Sequence, residues 1–454
     1  MKKVKKVKMN KVDSLINTVL SNKGELKVLP TKLVSNKTIW RKVIVEACGW
    51  ANKYDAYKFF KQVEKGEKTI ALAYLCYNYS KHIVKYAEKV YNCYGEKLNK
   101  KDFLKNIYIL ENPLFHNMFN AKYNGCVEDC GNFISWNEVF AMGKKFDMVI
   151  MNPPYAGKGD PLFMKIAKVV YDNCLSEDGK VVSVNPTSVV DNTYDGVDDH
   201  SKSLKKKYVD NMKVESFEYS PEMRTSFDAN IGTEICVVSY SKNGKHTLHD
   251  DYVRGKRFGE QNWKMRKSII GKVNEYIAKN GHVFNVPTML KWLKVNKTST
   301  IEDSVKSEYF GKNICVLSYI RGHVSDDGGH KWDWTTLQSE LTVANSLCDI
   351  SQYAIPSDSK VECVNLIKWF NTDIIGFGVN HYKTQMTNNE VLFKMLPCPP
   401  PTNGDYSDEV LMKHFNLTKE EMDWIHSEMK NFGWKVNKGM TEAELMKHIE
   451  ELNK

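Results

Sequence analysis

The stretch FDMVIMNPPY, Phe146 to Tyr155, constrains the fold more than any other part of this chain. Met148, Val149, Ile150 and Met151 form a short unbroken apolar run, the pattern of a strand covered on both faces. The run stops abruptly at Asn152. Two consecutive prolines donate no hydrogen bond and hold the preceding residue extended, so Asn152 is expected at the strand's carboxyl end with its carboxamide directed outward. In an open α/β sheet, ligands bind at that end. A carboxamide oxygen and a prolyl carbonyl are two acceptors suited to an exocyclic amino group, and the ring of Tyr155 offers a face on which a flat base can stack. Asn-Pro-Pro also occurs as an ordinary turn, a reading that the buried strand before it weakens.

The neighbouring segments repeat a strand-then-helix pattern. KNIYILENP (105–113) reads as a strand ending in an acid, FHNMFNAKYNG as helix-like, and CVEDCGNFISW as a short strand with a loop. After the motif, Leu162, Phe163, Ile166, Val169 and Val170 recur at helical spacing, and that helix is expected to stop near Gly179. VVSVNP (181–186) is the next buried strand; SKSLKKKY reads as a helix, and KVESFEYS and TEICVVSYSK as two more strands. Alternation of this kind predicts an α/β fold with a parallel, doubly wound sheet. By spacing, TIALAYLC (69–76) is the strand one βαβ interval before residues 105–113, with SKHIVKYAEKVYN as the crossover helix.

A chain of 454 residues is too long for one ordinary core and predicts two domains with an appendage. Past residue 245 the periodicity weakens and aromatic and basic residues interleave, which predicts a second domain of irregular β structure. Pro399 to Pro401 form a stiff linker or strap. Asn416, Leu417, Thr418 and Glu421 then give a capping box opening the helix TKEEMDWIHSEMKNF, and TEAELMKHIEELNK reads as a last amphipathic helix. The divisions read from this pattern are a basic arm at 1–30, an α/β domain at 31–245, an irregular domain at 246–400 and a helical segment at 401–454.

Lys and Arg exceed Asp and Glu by 65 to 55, a net charge of +10 that suits a polyanionic partner. The eleven cysteines show no paired CxxC spacing, and Cys126 and Cys130 lack a second pair, so free thiols in a reducing cytoplasm are expected rather than a metal site. No apolar run approaches the ~20 residues needed to cross a bilayer, and the opening MKKVKKVKMNK lacks the apolar stretch of a secretory signal. Residues 1–100 show no Pro-Asp with a following Glu-x-Lys, which argues against a fused nuclease.

Asn-Pro-Pro-Tyr after an FD-plus-apolar strand resembles the catalytic motif of the gamma-class N6-adenine DNA methyltransferases found in phages and restriction-modification systems. The segment from Lys105 to about Ser241 follows that family's order of features. WFNTDIIGF through VLFKMLPCPPP to DYSDEVLMKHFNLTKEEMDWI is similar to the family's carboxyl-terminal part. The resemblance implies a Rossmann-like methyltransferase sheet, S-adenosylmethionine as cofactor, double-stranded DNA as partner, and a catalytic set of Asn152, Pro153, Pro154 and Tyr155. It assigns Glu111 to the cofactor's ribose and matches Gly131, Asn132 and Phe133 to the family's Gly-Asp-Phe, with an amide in place of the acid and Asp129 as a competitor for the role. Phe227 stands where the family often has a second aromatic wall, with ordinary core as its plain alternative. Lys205, Lys206, Lys207, Arg254, Lys256 and Arg257 are candidate phosphate contacts, though each is also consistent with a solvated face.

The donor loop departs from the family, which carries glycines where the backbone meets the cofactor. After TIALAYLC the chain reads CYNYS, without glycine; VIVEACGW supplies Ala47, Cys48 and Gly49 in order, but Gly49 lies 62 positions before Glu111. Other acceptors that share the tetrapeptide are RNA and a protein glutamine amide. A further reading is a catalytically degenerate methyltransferase-fold protein that binds DNA or a partner without turnover. The glycine-poor loop supports it and the intact Asn152 to Tyr155 oppose it.

Overall fold

The computed structural model describes residues 48–49, 52–73, 79–111, 131–153, 161–187, 190, 205–219, 235–244, 249–282, 313–317, 323–324, 330–331, 336–338, 353–357, 360–370, 372–382 and 395–432. The chain divides into two compact units, Met1–Asn192 with His200–Arg257 and Thr193–Asp199 with Phe258–Lys454.

The first unit is built on β1 (Ile70–Ala73), β2 (Ile107–Glu111), β3 (Asn132–Ser135), β4 (Phe146–Met151), β5 (Leu175–Pro186), β6 (Val214–Tyr219) and β7 (Ile235–Ser241). They form one seven-stranded sheet in the order β3-β2-β1-β4-β5-β7-β6. The first five strands are mutually parallel, and β7 lies antiparallel between β5 and β6. This is the expected Rossmann-like, doubly wound sheet, mixed through its seventh strand. TIALAYLC does supply β1, which lies between β2 and β4 where the strand order reverses.

Because helices cover both faces, the central strands are apolar without alternation. Leu72, Met148, Ile150 and Val182 pack against α1 (Lys53–Glu64), α2 (Tyr79–Cys93) and α3 (Lys100–Leu104), with Phe60 and Phe103 at 0% exposure. Ala71, Val149, Met151 and Val181 form the other face, covered in part by α4 (Trp136–Ala141) and α5 (Leu162–Asn173). Each fully buried Val, Ile, Met or Phe contributes about 1.5–3 kcal/mol. α4 starts at a capping box in which Ser135 Oγ accepts from the Glu138 N–H and Glu138 reaches back to the Ser135 N–H.

Asp147 locks the amino end of the sheet. One carboxylate oxygen accepts from the Thr69 N–H at 2.8 Å and the Thr69 hydroxyl at 3.3 Å, and the other from the Ser176 hydroxyl at 2.9 Å, so one side chain ties the entries of β1 and β5 to β4. The helix expected to run toward Gly179 ends at Asn173, and β5 begins at Leu175. Gly179 serves an irregularity in β5 where pairing with β4 jumps between Phe146 and Met148, and a Cβ there would lie 2.8 Å from the Phe146 carbonyl oxygen.

α6 (Asp250–Phe258) follows β7, its Tyr252 hydroxyl donating to the Phe217 carbonyl at 3.4 Å. In the second unit, α7 (Glu260–Asn280), α9 (Asp373–Tyr382), α10 (Asp408–Phe415) and α11 (Lys419–Phe432) share one core with α8 (Lys360–Phe370), around Trp369, Phe377, Phe415 and Ile425. β8 (Asn313–Leu317), β11 (Thr336–Gln338) and β12 (Tyr353–Ser357) form a small antiparallel sheet, and β9 (His323–Val324) pairs with β10 (His330–Lys331). Short irregular strands were expected here; the 21-residue helix α7 was not. Arg266 and Gly271 interrupt its apolar stripe, and Arg266 is nevertheless buried on that stripe, stacked 4.2 Å from the Phe258 ring centroid and paired with Glu428 at 2.7 Å.

The expected capping box forms at the start of α11: Thr418 Oγ1 accepts from the Glu421 N–H at 3.1 Å, and Glu421 accepts from the Thr418 N–H at 2.8 Å. Just before the proline run, the Cys398 N–H bonds to the Gly281 carbonyl past the end of α7 at 3.2 Å, and the Trp369 indole N–H on α8 donates to the Pro397 carbonyl at 3.1 Å.

Candidate functional site at the carboxyl edge of the sheet

β1 is the switch point of the sheet, with β2 on one side and β4 on the other, and doubly wound folds take ligands in the crevice that opens there. Ala73, the last residue of β1, is level with Leu110 on β2 and Met151 on β4. Glu111 and Asn152 are each one residue further on, so both leave the sheet just beyond Ala73, on either side of it. Strands spaced about 4.8 Å apart put those two backbones about 10 Å from each other. The Asn152 N–H donates to the Ala73 carbonyl at 3.2 Å, which continues the β1–β4 ladder up to the prolines. Asn152 is half-buried and Pro153 is buried. Pro154, Tyr155, Asp129 and Phe227 lie outside the described residues, as do residues 74–78, the glycine-free link from β1 to α2.

Three carried-over assignments change. Cys48 and Gly49 are at the opposite end of the sheet: the Cys48 thiol contacts Met148 Sδ at 3.6 Å, its carbonyl accepts from Lys180 Nζ at 3.0 Å, and a Cβ on Gly49 would sit 2.9 Å from that ammonium. Met148 and Lys180 are paired, three residues before the Met151 and Ser183 pair. At about 3.3 Å per residue the Gly49 loop is set back roughly 10 Å along the strands from the edge where Asn152 emerges. Burial pushes the Cys48 thiol up to about 12 against the opposing pull of Lys180, and Lys180 pairs with Glu215 at 2.6 Å. This cluster holds Cys48 and Gly49 toward the amino end of the sheet, away from the edge where Asn152 emerges.

Asn132 also stands at the amino end. It opens β3 level with Tyr108, while Ser135 is the residue level with Glu111. Its carboxamide N–H groups are directed at the carbonyls of Lys105 at 2.6 Å and Ile107 at 3.3 Å, which caps the turn into β2. Gly131 precedes it at φ +114 because any Cβ would meet the Ile107 carbonyl at 2.7 Å. Arg254 and Arg257, read as phosphate contacts, are buried, at 6% and 7% exposure, and so are not free surface cations. Lys256 pairs with Glu218 at 3.0 Å. Lys206 and Lys207 remain exposed, while nothing is described of the Lys205 side chain.

Sequence reasoning missed a polar row on β5. Ser183 and Asn185 alternate on the face opposite Val182 and Val184, Thr187 follows just past the end of the strand, and all three are fully buried. The Ser183 hydroxyl donates to Asn185 Oδ1 at 2.8 Å, and Asn185 Nδ2 donates to the Tyr240 hydroxyl at 3.2 Å. Burial pushes the Tyr240 phenol above its ordinary range, so it stays neutral. The signal was present in VVSVNPT, where three polar residues interrupt an apolar strand at a spacing of two.

Among the described residues no group of three or more His, Cys, Asp or Glu comes together as a metal site, and no helix is long and apolar enough to cross a membrane. No protein-family model and no curated protein matches the sequence. Among solved structures, the chain is similar to a fibrillarin/Nop5p complex, at 15% identity over 39% of this chain and 73% of that chain with a TM-score of 0.23. It is similar to the fibrillarin pre-rRNA processing protein of Methanococcus jannaschii, at 12% identity over 39% and 68% of the two chains with a TM-score of 0.24. A third likeness is to the plantazolicin methyltransferase BpumL in complex with SAH, at 10% identity over 51% and 99% with a TM-score of 0.23.

Proposed function

We propose that this chain is an S-adenosylmethionine-dependent methyltransferase acting on the N6 amino group of adenine in double-stranded DNA. The observation that supports this reading most is the emergence of Asn152 and Pro153 from β4 beside the end of β1, across from Glu111. An acceptor pair and an acid flanking a switch point suit a substrate amine on one side and a ribose diol on the other.

When bound, S-adenosylmethionine supplies an electrophilic methyl group, and Glu111 would hold it by accepting from its two ribose hydroxyls. The adenine must first be rotated out of the duplex, at a cost of a few kcal/mol that the pocket has to offset. Asn152 Oδ1 and the Pro153 carbonyl would then accept hydrogen bonds from the two N6–H groups, which would turn the amine toward tetrahedral geometry and free its lone pair for in-line attack. Tyr155 stacks on the ring. Attack precedes or accompanies loss of the N6 proton, which passes to solvent, so no strong base is needed and positioning supplies most of the acceleration.

The second reading is a binding protein without turnover. One feature favours it: the link leaving β1 at the donor side, residues 74–78, contains no glycine. Calorimetric titration with S-adenosylmethionine, followed by tritiated methyl transfer to unmethylated DNA and to RNA with Asn152→Ala as control, separates the two. Donor binding with transfer that the substitution abolishes is expected. Absence of both selects the binding protein, and transfer that survives Asn152→Ala removes the mechanism above.

A further inference from the structure

The exposed large apolar side chains among the described residues are Tyr54, Tyr94, Met142 and Val361, and the two tyrosines lie together, at 48% and 41% exposure with ring centroids 5.9 Å apart. Single exposed apolar residues are ordinary, whereas a cluster marks a contact surface. Helix spacing builds this one. At 3.6 residues per turn, Tyr54, Tyr57, Lys58 and Lys61 fall on one face of α1, while Asp55 is turned about 100° from Tyr54. The Tyr57 ring stands 4.5 Å from Tyr94 and 6.4 Å from Tyr54, and its hydroxyl and Lys61 are both tied to Glu96. Two other cations flank the rings. Lys58 lies 4.2 Å from the Tyr54 ring centroid, and Lys53 Nζ is 3.7 Å from Cys93 Sγ, next to Tyr94. Both lysines are exposed, and neither forms an ion pair with the described residues.

We infer that this tyrosine-lysine patch is a docking surface for single-stranded DNA. Exposed ring faces take unpaired bases, which in a duplex are already stacked on one another, and ammonium groups without a carboxylate partner take the phosphates between them. The neighbouring carboxylates are engaged, Glu96 by Tyr57 and Lys61 and Glu64 by the Tyr91 hydroxyl at 2.8 Å and the Asn99 N–H, so neither is set to read a ribose 2′-hydroxyl. The patch is also separate from the carboxyl edge. β1 and β2 are parallel, so α2 must run back along the sheet between them; its 15 residues span about 22 Å and end just before Tyr94, where α3 leads into the amino end of β2. The inference therefore goes beyond methyl transfer and does not depend on Asn152 or Glu111.

The test is fluorescence anisotropy of the full-length protein with a labelled oligothymidylate of about 12 nucleotides and no S-adenosylmethionine. Tyr54→Leu combined with Tyr94→Leu keeps apolar bulk and removes both ring faces; affinity is expected to fall about 10–100-fold, while Tyr54→Phe combined with Tyr94→Phe stays within about twofold of wild type. The leucine substitutions should leave affinity for duplex DNA unchanged. Lys58→Gln should reduce the slope of log affinity against log salt by about 0.7, the loss of one phosphate contact on a single strand. Photocrosslinking of the wild type to the same oligonucleotide carrying 5-iodouracil reads the contact without any substitution and should map to Tyr54 or Tyr94. Crosslinks confined to other segments, an affinity that the leucine substitutions do not change, or an equal loss on duplex DNA overturn the inference. Tighter binding of the matching oligouridylate overturns DNA as the occupant. With no donor present, failure of the methyltransferase reading alters none of these outcomes.

Discussion

Asn152 closes the ladder between β1 and β4: its N–H donates to the Ala73 carbonyl at 3.2 Å, and the prolines that follow it can form no further rung. The residue is therefore held at the sheet edge by its backbone. Asn152→Ala is expected to lower methyl transfer by about 10²–10³-fold, as when one positioned hydrogen-bonding group is removed from a reacting centre. The melting point should stay within about 1 °C, because the ladder bond belongs to the main chain and a half-buried side chain contributes little. Parallel loss of melting temperature and activity would make Asn152 a structural residue.

Glu111 ends β2 on the other side of β1. Glu111→Gln keeps the size and weakens acceptance from two ribose hydroxyls, so donor affinity should fall about tenfold, the range of one hydrogen bond to a charged group. Calorimetry with S-adenosylmethionine reads this directly. DNA affinity in the absence of donor should not change.

Gly49 has a φ of +70 and lies against Lys180 at the amino end of the sheet, far from Glu111 along the strands. Gly49→Ala should cost about 1–2 kcal/mol of stability, the penalty of a left-handed backbone with a Cβ. Donor affinity at a temperature where the variant is folded should equal the wild-type value. A selective loss of donor binding would return Gly49 to the cofactor site.

The strands were readable because a sheet buried on both faces writes itself as unbroken apolar runs, as in IALA and MVIM, and a proline pair marks where one ends. Two failures share a cause. Gly-Asn-Phe and Ala-Cys-Gly matched short patterns by residue type, yet Asn132 opens β3 at the amino end of the sheet, and Gly49 lies against Lys180, three residues before the Met151 and Ser183 pair. Which end of a strand a residue occupies depends on pairing register, and a tripeptide does not carry register. α7 escaped notice for another reason. Trp263, Ile269, Ile270, Val273, Tyr276 and Ile277 do form a helical stripe, but Arg266 sits within it, where the aromatic stack and Glu428 help make a buried guanidinium acceptable.

Asp147 joins three strand entries through one carboxylate, with bonds of 2.8 Å to the Thr69 N–H and 2.9 Å to the Ser176 hydroxyl. Asp147→Ala leaves those donors without their acceptor and should cost about 2–3 kcal/mol, the range for hydrogen bonds to a charged group. Urea denaturation followed by the near-ultraviolet signal checks it. Ser176→Ala alone should cost less, about 1 kcal/mol, because Thr69 keeps both of its bonds.

His426 on α11 reaches two other helices of the second unit, with Nδ1 2.5 Å from Asp373 on α9 and Nε2 3.0 Å from Asp408 on α10. Partial burial lowers its pKa, and the hydrogen bonds to Asp373 and Asp408 outweigh that, leaving the imidazolium favoured above its ordinary value of 6.5. A group whose folded pKa is raised stabilises the fold fully below the unfolded pKa, and that contribution is lost as pH rises through the folded value. Stability should therefore decline through this group as pH rises above about 6.5, by a modest amount because the pair is partly exposed to solvent. His426→Gln places a neutral donor and acceptor between the same carboxylates and removes the titration. The difference in melting temperature between wild type and variant should be largest at the acidic end and shrink as pH rises; a difference independent of pH would mean that the two carboxylates hold the ring by packing and neutral hydrogen bonding rather than by its charge.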